Sequence, residues 1–351
     1  MIAKQKFLMP VLFLILTNLI FLISCESNTK NKSIFNLTWK KYKDNPVFTP
    51  AVYSWDSKQV LVGTVLKQGG QYLMWYYGTG NDRRFRIGIA ESQNGVKWRR
   101  KRNSPILETG IKQSWDGYRV SRPCVIYDNN VYSMWYLGET KEEGKIRPCI
   151  GMASSKDGIT WDKNKQNPVF DLHDFQFPWA YFLRSFWVLK TDSVYKMWFS
   201  AVGKENYQNI ESVGFAKSTD GLNWIINEKP VLERDTTQAW ENFYVSNPMV
   251  IKDNDRYYMF YGGLGRFGYL FKESIGIAMS YDGIKWRKND NNPILVSADI
   301  SDAWDREFVT QPRVEKTNNG NFYMWYVGAD KKNTLDSLAN YQIGLSIGKY
   351  Q

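Results

Sequence analysis

The chain of 351 residues contains one histidine, three cysteines and twelve prolines. A single imidazole, His173, and so few thiols leave no ligand set for a His/Cys metal site, so no metal is expected. No cofactor is expected either, and nothing in the sequence indicates a structural calcium. Long apolar runs are just as scarce. Residues 7–23 (FLMPVLFLILTNLIFLI) form one, and 17 residues is near the lower limit for crossing a membrane. Basic runs are short: none exceeds Arg99–Arg102, which reads as a solvated loop rather than a nucleic-acid surface.

The apolar run follows Lys4 and Lys6 and ends at Leu22-Ile23-Ser24-Cys25. A basic start, an apolar stretch and small or apolar residues before a cysteine suit signal cleavage and lipidation. Residues 1–24 therefore read as a lipoprotein signal peptide, Cys25 as the lipidated residue and 25–36 as a tether. The alternative is an uncleaved anchor. Either way the expected location is the bacterial cell envelope, with the domain held at a membrane. Without residues 1–24, 44 basic and 35 acidic residues remain, a net charge of +9 that admits an anionic partner such as a uronate or sulfated glycan. Cys124 and Cys149 fall on the first and third strands of one repeat. Such strands lie about 9–10 Å apart, too far for a disulfide, so two buried thiols are expected.

What the chain does hold is aromatic residues, 16% of the total, and a repeat. The repeat is clearest as SQNGVKW (92–98), SKDGITW (155–161), STDGLNW (218–224) and SYDGIKW (280–286). Each Trp precedes a short Pro-containing apolar run, and LTWKKYKDNPVF (37–48) matches the same pattern. Trp39, Trp98, Trp161, Trp224 and Trp286 are thus equivalent, at spacings of 59, 63, 63 and 62. Aromatic runs such as YLMWYYG (72–78) and YSMWYLG (132–138) recur, each followed by an I-G-x-A-like run such as 87–90 or 150–153. Asp-Gly and Asn-Gly pairs mark hairpins. Runs apolar on both faces mark sheets covered on both sides. Four strands per repeat, five times over, predict an all-β, five-bladed β-propeller with four-stranded blades over 37–351. The last repeat lacks its fourth strand, and the 37–43 segment supplies it, closing the ring.

The NPVF-type runs, the Trp-Asp/Glu pairs, the Y-x-M-W-Y-x-G strands and the SxDGxxW hairpins resemble those of the five-bladed propeller glycosidases, glycoside hydrolase family 43 and its family 130 relatives. The resemblance implies an exported carbohydrate-active protein, a glycosidase or phosphorylase acting on an oligo- or polysaccharide. The alternative is a glycan-binding surface lipoprotein without catalysis. A monomer is expected. Family 43 enzymes carry acids near the starts of the inner strands. Here those rows read Val62, Arg122, Ser185, Asn247, Gln311 and Leu61, Ser121, Arg184, Ser246, Thr310, with no carboxylate. Candidate acids therefore come from elsewhere: Asp116, Glu241 and Glu307. Asp56, Asp116, Glu241 and Asp305 all follow the repeated Trp, and such recurrence also suits a structural turn. Candidate substrate contacts are Arg122, Arg184, His173 and the rim residues Trp55, Trp115, Trp179, Trp240 and Trp304. Glu211 and Glu273 precede the third strand in repeats three and four alone.

Overall fold

The computed structural model describes residues 33–204, 210–267, 270–298, 303–330 and 340–350. The expected signal segment, Cys25 and most of the tether lie outside the described residues. Among the described residues, no helix is long and apolar enough to cross a membrane.

The first strand, β1 (Thr38–Lys41), serves the end of the chain. The next sixteen form four antiparallel units in chain order. Unit one is β2 (Gln59–Gln68), β3 (Gln71–Thr79), β4 (Arg86–Ser92) and β5 (Arg99–Arg100). Unit two is β6 (Arg119–Asp128), β7 (Val131–Glu142), β8 (Lys145–Ser155) and β9 (Asp162–Lys163). Unit three is β10 (Phe182–Thr191), β11 (Val194–Val202), β12 (Glu211–Ser218) and β13 (Ile225–Ile226). Unit four is β14 (Tyr244–Asp253), β15 (Arg256–Phe267), β16 (Leu270–Ser280) and β17 (Arg287–Lys288). Unit five is β18 (Phe308–Lys316), β19 (Phe322–Asp330) and β20 (Asn340–Lys349), with β1 pairing antiparallel to β20 as its fourth strand. One parallel bridge, Glu273 to Phe308, links units four and five. The fourth strands are two residues long in units one to four. The Pro-containing run that follows returns to the third strand through one bridge per unit, such as Leu107 to Ile87 and Phe170 to Ile150.

The repeated residues explain the packing. In each SxDGxxW hairpin the Ser hydroxyl and the Asp carboxylate cap the turn: Ser155 Oγ accepts from the Gly158 amide at 2.9 Å, and Asp157 accepts from Ile159 and Thr160. Gly158 sits at φ 72°, a region that favours glycine. Its carbonyl accepts from the indole of Trp75, on β3 of the preceding unit, at 2.9 Å. Trp135 does the same to Gly221, Trp198 to Gly283 and Trp325 to Gly95. Unit four has Phe260 instead of Trp, and its ring meets Trp39 edge-on at 5.8 Å. Each of these four indoles is fully buried, and burying one stabilises the fold by roughly 2–3 kcal/mol. The first strands pack against one another in sequence, and β18 packs against β2. Cys124 and Cys149 are buried and unbridged, as the strand spacing implied.

Candidate active site

Each first strand carries a bulge near its start, between Val62 and Thr64, Ser121 and Cys124, Leu183 and Ser185, Ser246 and Met249, and Thr310 and Arg313. Bulges re-aim side chains. Here they present Arg122, Arg184, Asn247 and Gln311 beside the starts of the strands. Arg122, Asn247 and Gln311 adopt positive φ, at 53°, 50° and 51°. Each costs about 1 kcal/mol or more in a non-glycine residue, and such strain gathers at functional positions. In unit three the bulge selects Arg184, so Arg184 rather than Ser185 is the equivalent of Arg122.

Two of the bulged residues, Arg122 and Asn247, join one network. Arg122 Nη1 donates to Asn247 Oδ1 at 2.8 Å, from unit two to unit four. Asn247 Nδ2 donates to Ser246 Oγ and to Thr310 Oγ1, both at 3.0 Å. Thr310 Oγ1 in turn donates to Glu273 Oε1 at 2.6 Å, and Ser246 Oγ donates to the same oxygen at 3.3 Å. Tyr77 donates to Gln311 Oε1 at 2.8 Å. Ser200 donates to Glu211 Oε1 at 2.5 Å.

Three carboxylates meet here. Glu211 and Glu273 occupy the same position in their units, two residues before the Val or Ile that opens the third-strand Gly motif. The other units place Phe85, Pro148 and Tyr341 there. Glu139 stands at the end of the aromatic strand of unit two, where the register equivalents are Thr79, Val202, Leu264 and Ala329. Burial raises all three pKa values. Glu273 is pushed up to about 7, mostly by burial and further by the charge of Glu211, against the lowering effects of Thr310, Ser246 and Arg122. Glu211 is raised by burial, offset by Ser200, Arg184 and Arg122. Glu139 is raised by burial, offset by Arg119, Arg122 and Arg184. Tyr244 and Tyr341 feel Glu273 and are raised, Tyr341 to about 12, with burial the main cause in both. Arg119 approaches Glu139 only to 3.6 Å, and Arg119 Nε and Glu139 Oε2 have no hydrogen-bond partner among the described residues. Buried polar atoms left unpaired cost about 1–3 kcal/mol each. A ligand bringing hydroxyls would relieve that cost.

The repeated acids sit elsewhere. Asp116 accepts from Tyr136 Oη at 3.2 Å and from Lys163 Nζ at 2.6 Å. Glu241 accepts from Tyr261 at 3.1 Å and Lys288 at 2.6 Å. Asp56 pairs with Tyr76 and Arg100, and Asp305 with Tyr326 and Lys41. Each acid thus ties the loop to the second strand and to the fourth. Unit three lacks the acid, having Ala180, and it lacks both partners too: Phe199 replaces the Tyr and Ile226 the cation. The neighbouring Trp rings pack on the same second-strand rings, from Trp55 stacked on Tyr76 at 5.7 Å to Trp304 tilted against Tyr326 at 5.7 Å. Trp115, Trp179 and Trp240 match them, on Tyr136, Phe199 and Tyr261. These rings fill the space left by the third-strand glycines. A Cβ on Gly88 would lie 2.7 Å from Trp55, and one on Gly344 2.6 Å from Trp304. So Asp116 and Glu241 bond the second and fourth strands of their own units, and the five Trp pack on the second-strand rings. Glu307 pairs with the adjacent Arg306 at 3.0 Å. His173 bonds Asp171 at 3.1 Å beside Arg147, at the rim of units two and three.

No family model matches the chain. It is 27% identical over 234 residues to the uncharacterized protein Rv1502 of Mycobacterium tuberculosis, covering 64% of this chain and 74% of that one. A β-1,2-mannobiose phosphorylase of Thermoanaerobacter sp. is 32% identical over 121 residues, covering 32% of this chain and 38% of that enzyme. A 1,2-β-oligomannan phosphorylase of the same organism is 25% identical over 247 residues, covering 67% and 73%. Among solved structures, a member of the GH130 family of mannoside phosphorylases, from work on glycoside hydrolases that target β-1,2-mannosidic linkages in Candida mannan, superposes with a TM-score of 0.66 at 16% identity, over 89% of this chain and 93% of that one. A thermostable family-43 glycoside hydrolase does so at 0.59 and 23% identity, over 85% and 92%. The fold is that of the family 43 and family 130 glycosidase structures, as the repeated motifs implied.

Proposed function

We propose that the protein cleaves a glycosidic bond in an oligosaccharide at the centre of a closed five-bladed propeller. The contacts that run from each unit to the next, and from unit five to unit one, support the closed ring. Support for the chemistry comes from one observation above all: Glu273 is buried, bonded by the Thr310 and Ser246 hydroxyls with its carboxyl raised to about 7, and lies within the field of Glu211. Hydrolysis needs one carboxylic acid to protonate the leaving oxygen and one carboxylate on the opposite side of the sugar, whereas in phosphorolysis the phosphate itself attacks and the acid alone is needed. Glu273 serves as the acid. Glu211, whose charge is supported by Arg122 and Arg184, serves as the carboxylate, and Glu139 with Arg119 holds sugar hydroxyls. Arg122 and Arg184 also suit an anionic acceptor, since guanidinium groups bind phosphate bidentately. The mannoside phosphorylases among the relatives point to the same acceptor. Asp116 and Glu241, each occupied by a Tyr and a Lys, hold the fold. We extend the proposal to the export and lipid anchoring read from Lys4 to Cys25, on the strength of that sequence pattern.

The test is product analysis on β-1,2-mannooligosaccharides with and without inorganic phosphate. Mannose 1-phosphate marks phosphorolysis, and free mannose alone marks hydrolysis. Binding without any product contradicts the enzyme reading and favours a glycan-binding lipoprotein.

A further inference from the structure

The loop between units two and three departs from its counterparts. It reads DLHDFQFPWAY over 171–181, with a turn at Leu172–Asp174 capped by Asp171, whose carboxylate accepts from the His173 amide at 2.9 Å. Its rings form a ladder, Phe170 to Phe175 to Phe177 to Trp179 to Phe199, with Phe175 and Phe177 nearly parallel at 8°. The ladder fixes the loop from beneath. Above it stands Tyr181, 45% exposed. Two depressions of about 770 and 510 Å³ adjoin along this loop, and both are lined by His173 and Tyr181. These volumes fall in the usual range for small-ligand sites. One depression adds Thr140 and Arg147, the other Phe177 and Lys204. The His173 ring meets Tyr181 edge-on at 5.1 Å, and Lys204 Nζ lies 5.6 Å from the Tyr181 centroid. Asp171 holds both His173 and Arg147 in place.

The position matters as much as the composition. Thr140 directly follows Glu139, and Tyr181 directly precedes Phe182, whose ring underlies the Arg184 guanidinium at 5.2 Å. One depression therefore begins one residue beyond Glu139 on β7, and both reach Tyr181, three residues before Arg184. An exposed aromatic ring flanked by fixed hydrogen-bond donors is the chemistry that holds a sugar, with the ring under the C–H face and the donors on hydroxyls. Among the described residues, the other loops carry aromatic residues too, such as Tyr53, Tyr118 and Phe243, but the run Phe175, Phe177, Trp179 and Tyr181 beside His173 occurs in unit three alone.

We infer that Tyr181, His173, Arg147 and Lys204 form a distal sugar subsite, which binds the part of an oligosaccharide that projects from the central site across units two and three. The subsite rests on the glycan-cleaving reading for its substrate class, and it makes the protein selective for chains of three or more sugars over disaccharides.

The experiment measures binding by titration calorimetry to protein carrying Glu273→Gln, which removes turnover. The probes are β-1,2-mannooligosaccharides of two to six sugars and galacturonic-acid oligosaccharides of the same lengths. In that background, Tyr181→Ala and, separately, Lys204→Ala are compared with the parent. Both residues are exposed, and circular dichroism checks that the fold is kept. Removing the Tyr181 ring is expected to weaken binding of the longer chains about tenfold, the scale of one lost aromatic contact, and to leave the disaccharide unchanged. Equal affinities of parent and both variants at every length overturn the subsite while leaving the central site standing. Equal loss at all lengths, disaccharide included, also overturns it, because the residues then belong to the central site. A parent that binds neither series overturns the glycan reading and the subsite together.

Discussion

Unit four holds two buried glutamates in different settings, Glu241 in the loop before β14 and Glu273 on β16. Glu241 follows the repeated Trp, bonds Tyr261 and pairs with Lys288. Glu273 shares no salt bridge among the described residues, is held by the hydroxyls of Thr310 and Ser246, and faces Glu211 and Arg122. The first has counterparts in units one, two and five. The second has one counterpart, next door. A carboxylate that recurs with its partners, and disappears with them in unit three, is part of the scaffold. A carboxylate that breaks the repeat, without an ion-pair partner of its own, is placed where chemistry can use it. Burial raises the pKa of both, but Lys288 and Tyr261 offset the rise at Glu241, whereas the charge of Glu211 adds to it at Glu273, which reaches about 7.

The comparison yields graded expectations. The largest effect belongs to Glu211→Gln, which should lower turnover by about 10²–10⁴-fold, the usual contribution of a positioned acid or base, with little change in thermal midpoint. Steady-state rates on an oligosaccharide cleaved by the native protein check it. Next comes Asp116→Asn. Asp116 is buried and Lys163 partly exposed, so removing the charge loses two hydrogen bonds and a loss of about 1–2 kcal/mol in stability is expected by denaturant titration, with turnover kept at moderate temperature. If Asp116→Asn instead abolishes turnover in a stable protein, the repeated acids are not scaffold.

A third expectation concerns pH. Glu273 and Glu315 are both raised to about 7 by burial, Glu315 beside Lys67. A carboxyl whose folded pKa is raised binds its proton more tightly when folded. Its contribution to stability is therefore full below the ordinary value of 4.5 and is lost as pH rises through about 7. Native protein should be less stable at pH 8 than at pH 5. Glu273→Gln and Glu315→Gln should each flatten that slope, by up to roughly 3 kcal/mol from a shift of this size. Only Glu273→Gln should also remove the basic limb of the pH–rate profile. The smallest effect is that of Arg122→Lys, which keeps the charge and loses the planar fork. It should raise the Michaelis constant about tenfold with turnover number nearly intact, and more for an anionic acceptor than for water.

Much of this organisation is legible in the sequence because the fold is written five times. The SxDGxxW hairpins, the aromatic second strands and the pairing of Trp39 with the end of the chain all follow from period and turn chemistry. The bulge row was legible only in part. Counting back from Pro places Ser185 beside Arg122, whereas the register shift in unit three selects Arg184, since that strand is one residue short and has no Pro. The candidate acids Asp116 and Glu241 are conspicuous because they repeat, and we propose that the repetition reflects a role in the scaffold. Glu211 and Glu273 break the pattern at one position, and Glu139 breaks it at another. Lining up the residues two before each third-strand Ile or Val isolates the first two. What sequence could not supply is that the second-strand end of unit two and the third-strand starts of units three and four converge, because that requires the sheets to be arranged around a common centre.

The most direct test is a paired one within unit four: turnover number and thermal midpoint of Glu273→Gln and Glu241→Gln, on the same substrate. The account predicts that Glu273→Gln loses turnover by about 10³-fold and keeps or raises the midpoint, while Glu241→Gln keeps turnover and lowers the midpoint by several degrees. The reverse pattern, with Glu241 needed for turnover and Glu273 for stability alone, contradicts it.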